Sequence, residues 1–330
     1  MSGESNNDEQ IQSRRTGNDI VACCCFYGHR PFCRRQWYRS KGRTGHRRVN
    51  RHRSNDRRST RRRRLFCLRR ARKQRDLDAL NQIENIQAVR LDVTKQDEID
   101  AAVQTVRDGG RGLYGLVNNA GVNGAGGPQA EIDIDDAKWV FDVNVFGVQR
   151  VTAAFAPLIV EKKGRIATIS SVGGIVSGAY WGTYSMSKHA IEAYVDALAA
   201  EMEQFDVQVS VIEPGRYNSE FGKNAVARYG ELTEAQKASP YAEYYKSRSQ
   251  STGDRSAYKN PDEVAAAALH ALFNDNPKRR YMVVPNAGEA GWTVGAAIQE
   301  LVQLNEGQEY SFSREELIAM LDKAMKPAEK

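Results

Sequence analysis

No cysteine follows Cys67 in this chain; all five (Cys23, Cys24, Cys25, Cys33 and Cys67) fall near its start. A disulfide framework over the main body is excluded, and a reduced, cytoplasmic setting is expected. No run of about 18 apolar residues occurs, so no membrane span is expected. Met1–Asp19 is almost wholly polar and holds no signal-peptide core. Alanine is scarce at first, appearing in residues 1–75 only as Ala22 and Ala71. A Gly-x-x-x-Gly-x-Gly turn is also missing from that stretch.

What is present divides sharply. Residues 1–75 carry 23 Lys+Arg against 5 Asp+Glu, and residues 76–330 carry 25 against 36. The overall charge of +7 hides this division. Three parts follow: an Arg/Cys-rich segment at 1–75, expected to be disordered or out of frame; a main body at 76–290; and a helical extension at 291–330.

The body alternates short β-like runs with longer helical ones. Gln87–Leu91, Leu113–Val117, Arg165–Ile169, Val207–Ile212 and Tyr281–Val284 read as strands. Gln96–Arg107, Asp135–Val160, the run from Tyr184 to Ala200, and Pro261–Phe273 read as helices. Near-continuous apolar strands alternating with helices predict a single α/β domain, a doubly wound parallel sheet of Rossmann-like type. In such a sheet ligands bind where strands end. Asn118-Asn119-Ala120-Gly121, Ser170-Ser171 and Pro214-Gly215 stand at three such ends. Gly and Ala permit close backbone approach, and Asn supplies donors and acceptors.

Tyr184 and Lys188 are four apart, so both side chains can reach one site from one helical face. A free phenol titrates near pH ~10, and a fixed cation nearby favours the phenolate. The pair is a plausible proton-transfer device. Alone it is equally a half-buried helix with a snorkelling lysine. Tyr180 and Trp181 are a candidate substrate wall, Tyr241, Tyr244 and Tyr245 a candidate lid, and His189 is read as structural.

In combination these pieces resemble the short-chain dehydrogenase/reductase family, in its retinol and hydroxysteroid dehydrogenase branch. The resemblance covers about residues 76–285. It rests on Leu91-Asp92-Val93-Thr94, Asn118 to Gly121, Asn144-Val145-Phe146-Gly147, Ser171, Tyr184 with Lys188, and Pro214-Gly215. It implies reversible hydride transfer between a nicotinamide cofactor and an apolar secondary alcohol or carbonyl, by a homo-oligomer. Tyr184 would be the general acid/base, and Lys188 would lower its pKa and bind the nicotinamide ribose. Ser171 would hold the substrate oxygen, and Asn144 a water in a relay with Lys188. Asp92 would sit near the adenine. Asn118, Ala120, Gly121, Pro214 and Gly215 would line the cofactor. Tyr217 and Ser219 stand where the family has an aliphatic residue and Thr.

The first β-α-β unit, whose Gly-rich turn receives the pyrophosphate, is not recognisable in residues 1–75. Arg47-Arg48, Arg57-Arg58 and Arg61-Arg62-Arg63-Arg64 stand there instead. One account is a catalytically inactive protein whose basic arm binds nucleic acid. A metal site at Cys23-Cys24-Cys25, His29 and Cys33 fits usual zinc spacing poorly. Another account is a shifted reading frame, since CGN arginine codons read one nucleotide later encode Ala, Gly, Val, Asp or Glu. For Lys41–Ser54 synonymous choices then permit Lys-Val-Ala-Leu-Val-Thr-Gly-Ala-Ser-Ile-Gly-Ile-Gly-Arg, a strand and a Gly-rich turn. Arg57–Arg64 becomes an Ala/Leu-rich helix, and Arg64–Ala71 a second strand ending in arginine. That arginine leans the cofactor toward NADP(H) over NAD(H).

Overall fold

The computed structural model describes residues 66–326 and the backbone of residues 20–23. Among the described residues seven strands form one parallel sheet. They are β1 (Ile20–Cys23), β2 (Phe66–Ala71), β3 (Ile86–Arg90), β4 (Gly115–Asn118), β5 (Arg165–Ile169), β6 (Gln208–Pro214) and β7 (Arg280–Val283). Their spatial order is β3-β2-β1-β4-β5-β6-β7. The order reverses between β1 and β4, so the carboxyl ends of these two strands flank the crevice where doubly wound sheets bind ligands.

Alternation along each strand fills both faces. Leu116, Ile166 and Val211 join a large cluster with Ile99, Val151, Phe155 and Val195. Their neighbours Val117, Ala167 and Ile212 join a second cluster with Val264, Leu272 and Tyr281. Because both faces are dry, the strands read as continuous apolar runs. Sequence periodicity finds five of these strands, Arg165–Ile169 to the residue and the other four with ends one or two residues off.

The other two strands lie in the segment whose first β-α-β unit is not recognisable in the sequence. Ile-Val-Ala-Cys, an apolar run in an Arg-rich part, forms β1, with Val21 beside Leu116's neighbour Gly115. β2 pairs with both β1 and β3. The boundary drawn by composition at residue 75 therefore cuts off a strand of the sheet. β2 also carries Arg69 into the interior at 7% exposure, a costly place for a charge. The arginine runs, His29, Cys33, Lys41–Ser54 and Arg57–Arg64 lie outside the described residues, as does the basic arm.

After α1 (Gln74–Asn81) and α2 (Gln96–Asp108), the long helix expected over Asp135–Val160 comes in three pieces: α3 (Ile134–Phe141), one π-helical turn (Asp142–Phe146) and α4 (Gly147–Glu161). Asp133 caps it, accepting from the backbone N–H of Asp135 and Asp136. By length and composition Ile134–Glu161 could cross a membrane, but 56% of its apolar window is buried inside the protein. Further helices are α5 (Gly182–Met202), α6 (Phe221–Val226), α7 (Glu234–Ala238), α8 (Ala242–Ser249) and α9 (Asp262–Phe273). A second unit, Val284–Lys330, holds α10 (Ala287–Asn305) and α11 (Arg314–Met325). Ser313 and Glu316 form a capping box on α11.

Gly147 shows why the π turn ends where it does. A Cβ there would lie 2.5 Å from Val93 Cγ2, so helix and Asp92-Val93-Thr94 turn meet without a side chain between them. Gly147→Ala is expected to cost about 1–3 kcal/mol by overpacking, read as a lowered urea midpoint.

Candidate active site

Tyr184 and Lys188 sit one turn apart near the start of α5. Lys188 is buried, at 4% exposure. Its Nζ donates to the Ile169 carbonyl at the end of β5 (3.1 Å) and lies 5.8 Å from the centre of the Tyr184 ring. Burial lowers its pKa to about 8, against the upward pull of Glu192. The snorkelling alternative does not apply, because the ammonium ends inside the protein and not in water.

The wide π turn brings Asn144 to the same place, a use typical of such bulges. Its Oδ1 accepts from the Val122 N–H (2.8 Å), and its Nδ2 donates to the Val122 carbonyl (2.9 Å) and to Ser187 Oγ (2.9 Å). Asn144 thus clamps the turn after β4. A Cβ on Gly121 would lie 3.6 Å from Lys188 Nζ and 3.7 Å from Asn144 Oδ1, so these three residues converge. Both amide atoms of the Asn144 side chain are thus bonded to protein.

Ser171 caps a short turn, its Oγ accepting from the Gly173 N–H (3.0 Å) and facing the Pro214 carbonyl (3.5 Å). A Cβ on Gly173 would lie 3.3 Å from Tyr184 Cε1 and 3.4 Å from Ser171 Oγ. Both hydroxyl-bearing side chains therefore border one spot. Gly215 continues β6, its N–H donating to the Val283 carbonyl (2.8 Å).

At the end of β3, Asp92 accepts from Thr94 N–H (3.1 Å) and Thr94 Oγ1 (2.9 Å), with Arg72 at 3.5 Å. Burial alone would raise its pKa, but these donors and the Arg72 charge hold it below the usual carboxylate range. Asn118 ends β4. Its Nδ2 donates to Thr152 Oγ1 (2.9 Å) and also faces Thr168 Oγ1, so the side chain ties the sheet to α4 inside the core. Ala120 is buried and small beside it. Tyr217 also turns inward, its hydroxyl donating to Glu263 (2.8 Å).

Aromatic residues surround the Tyr184 side. Phe221 meets the Tyr184 ring edge to face at 5.5 Å. Tyr180, in the left-handed region (φ 69°), stacks on Tyr244 of α8 at 4.0 Å. Tyr241 meets Tyr180 edge on, and Arg216 lies over Trp181. Tyr245 is instead buried, and burial with Glu131 alongside pushes its hydroxyl up to about 12. Sequence reasoning missed Phe221, Ser187 and Arg248. Arg248 donates to the Gly126 carbonyl (3.1 Å) and pins α8 to the loop after β4. Their only signal is proximity to Pro214 for Phe221, to Lys188 for Ser187 and to the tyrosine-rich stretch for Arg248. His189 is tied to the Ser185 carbonyl (2.9 Å).

A parallel sheet with a Tyr–Lys pair, a serine and an Asn-clamped turn at its strand ends defines a dinucleotide-fold oxidoreductase site. A family profile described as short chain dehydrogenase matches residues 63–230. The chain is 35% identical over 221 residues to mouse retinol dehydrogenase 16, covering 63% of this chain and 67% of the relative. It is 33% identical over 241 residues to human dehydrogenase/reductase SDR family member 9, covering 68% and 75%. A short-chain dehydrogenase/reductase from Burkholderia phymatum, solved in complex with NAD, shares the fold with TM-score 0.60 at 22% identity, covering 75% and 89%. The chain belongs to the short-chain dehydrogenase/reductase family, oxidoreductases that use a nicotinamide cofactor.

Asn144→Ala would leave the Val122 backbone groups and Ser187 without their partner. A loss of about 2–4 kcal/mol is expected for buried groups of this kind, measured by denaturant unfolding.

Proposed function

We propose that the chain interconverts an apolar secondary alcohol and its carbonyl, with Tyr184 as general acid/base. The observation that carries this reading is the convergence of Tyr184, Ser171 and buried Lys188 on the ends of β5 and β6. A nicotinamide cofactor, when bound, supplies the hydride chemistry. The residues present fit its nicotinamide half. The ends of β4 and β6 offer Gly121 and Gly215, and Lys188 lies 3.6 Å from where a Gly121 side chain would stand. Asp92 fits the adenine end, and the turn after β1 lies outside the described residues.

In reduction, the Tyr184 hydroxyl donates its proton to the substrate oxygen while Ser171 Oγ hydrogen-bonds the same oxygen. In oxidation the phenolate takes that proton, and the Lys188 ammonium steadies the negative charge. Asn144 holds the neighbouring backbone still. Tyr180, Trp181 and Phe221 supply an apolar wall, in keeping with relatives named for retinol and hydroxysteroids. Arg72, beside Asp92, would meet a 2′-phosphate and so favours NADP(H). The shifted reading frame is proposed to account for the arginine runs, and the nucleotide sequence across codons 38–75 tests it.

Tyr184→Phe is expected to lower kcat by about 10²–10⁴-fold with melting unchanged, assayed by NADPH oxidation with apolar ketones. If neither this chain nor a frame-corrected one turns over, the reading fails. Arg72→Glu is expected to weaken NADPH about tenfold relative to NADH by removing the phosphate's cation, read by fluorescence titration.

A further inference from the structure

The catalytic reading leaves a buried acidic group unexplained. Glu192 stands one turn beyond Lys188 on α5, 8% exposed, and Glu213 stands on β6 just before Pro214, 2% exposed. Both carboxylates bond the same nitrogen of Arg280 on β7. Nη1 donates to Glu213 Oε1 at 3.0 Å and also to Glu192 Oε2. Arg280 Nη2 donates to Asp196, which also accepts from Arg279 at 3.0 Å. The charged groups facing the pair are therefore Lys188 and Asp196 from α5 and Arg280 from β7, with Arg279 behind Asp196.

Two buried carboxylates on one guanidinium nitrogen repel, and one of them is better neutral. A second observation agrees. Glu192 Oε1 is buried and, among the described residues, receives no hydrogen bond. It faces the space beside Gly174, where a Cβ would lie 3.0 Å from it and 2.8 Å from Ser170 Oγ. A carboxylate oxygen left without a donor is costly to bury. A proton on Glu213, whose carboxyl is within hydrogen-bonding reach of Glu192, would supply that donor.

We propose that Glu192 and Glu213 act as one positioning unit, sharing a single proton under Arg280 and so setting the charge presented to Lys188. The inference rests on the reading of Tyr184 and Lys188 as the reacting pair. With its proton the unit carries one negative charge, matched by Arg280. Without it a second charge appears on Glu213, beside the Glu192 carboxylate that faces the lysine, and favours the ammonium form. The unit thereby holds Lys188 charged as pH rises, against the burial that would strip its proton. Burial and the Glu192 charge push Glu213 up to about 7, against the pull of Arg280.

The sign of the stability effect follows. A carboxyl that keeps its proton to higher pH when folded contributes stability that is full below its unfolded value of 4.5. That stability is lost as pH rises through about 7. The wild-type melting temperature should therefore fall by about 5 °C between pH 5.5 and pH 8.5 from this unit alone. Glu213→Gln keeps a donor but cannot titrate, and Glu192→Gln removes the other half; both should flatten that slope, and Asp196→Asn should not. Slopes parallel to wild type in both Gln variants would overturn the shared proton, whether or not the chain turns over. In turnover, Glu192→Gln should move the alkaline limb of kcat down by about one pH unit, the size expected when a lysine loses its nearest counter-charge. An unmoved limb in a folded variant would overturn control of Lys188. Loss of the proposed function itself shows separately, as activity that survives in Tyr184→Phe.

Discussion

A buried ammonium governs the architecture of this site. Lys188 cannot stay charged inside the protein without acceptors and a counter-charge. The Ile169 carbonyl, Glu192 one turn on, and the polar edge made by Asn144 and Gly121 supply that environment. Each comes from a different element. β5 must end at Ile169, the helix must widen at Asp142–Phe146, and the turn after β4 must carry a glycine. The sheet's parallel order brings these ends together, and the lysine gives them a common purpose.

Legibility followed the physics of each element. Strands buried on both faces, such as Arg165–Ile169, announce themselves as apolar runs and were read to the residue. The Tyr184–Lys188 spacing and Ser171 are visible because helix period and strand ends are local properties, whereas Asn144 enters through the family resemblance. What was not legible depends on distant packing. Nothing local in Asn118 says that its amide will bond Thr152 and Thr168. Nothing local in Tyr217 says that it will reach Glu263. The π turn is invisible to a 3.6-residue period, which reads straight through it. Glu192 and Glu213 look like ordinary acids until Arg280 joins them from a strand far along the chain.

The first part of the chain shows the limit of composition. A segment rich in arginine still provides Ile20–Cys23 and Phe66–Ala71 to the sheet. Four apolar residues suffice for a central strand when its neighbours supply the ladder. Yet β1 is followed by Cys24-Cys25-Phe26-Tyr27-Gly28, not by the glycine-rich turn a pyrophosphate needs. The proton-handling half of the site is fully written in this sequence, and the phosphate-binding half is not recognisable in it.

The central claim is that Tyr184 moves the proton that accompanies hydride transfer. Its most direct test is a single turnover of an apolar ketone with a nicotinamide cofactor deuterated at the transferable position, with the product weighed by mass spectrometry. The account predicts one deuterium on the carbinol carbon with the wild-type chain, or its frame-corrected form, and transfer about 10²–10⁴-fold slower in Tyr184→Phe. Undiminished deuterium transfer in the Phe variant would contradict it.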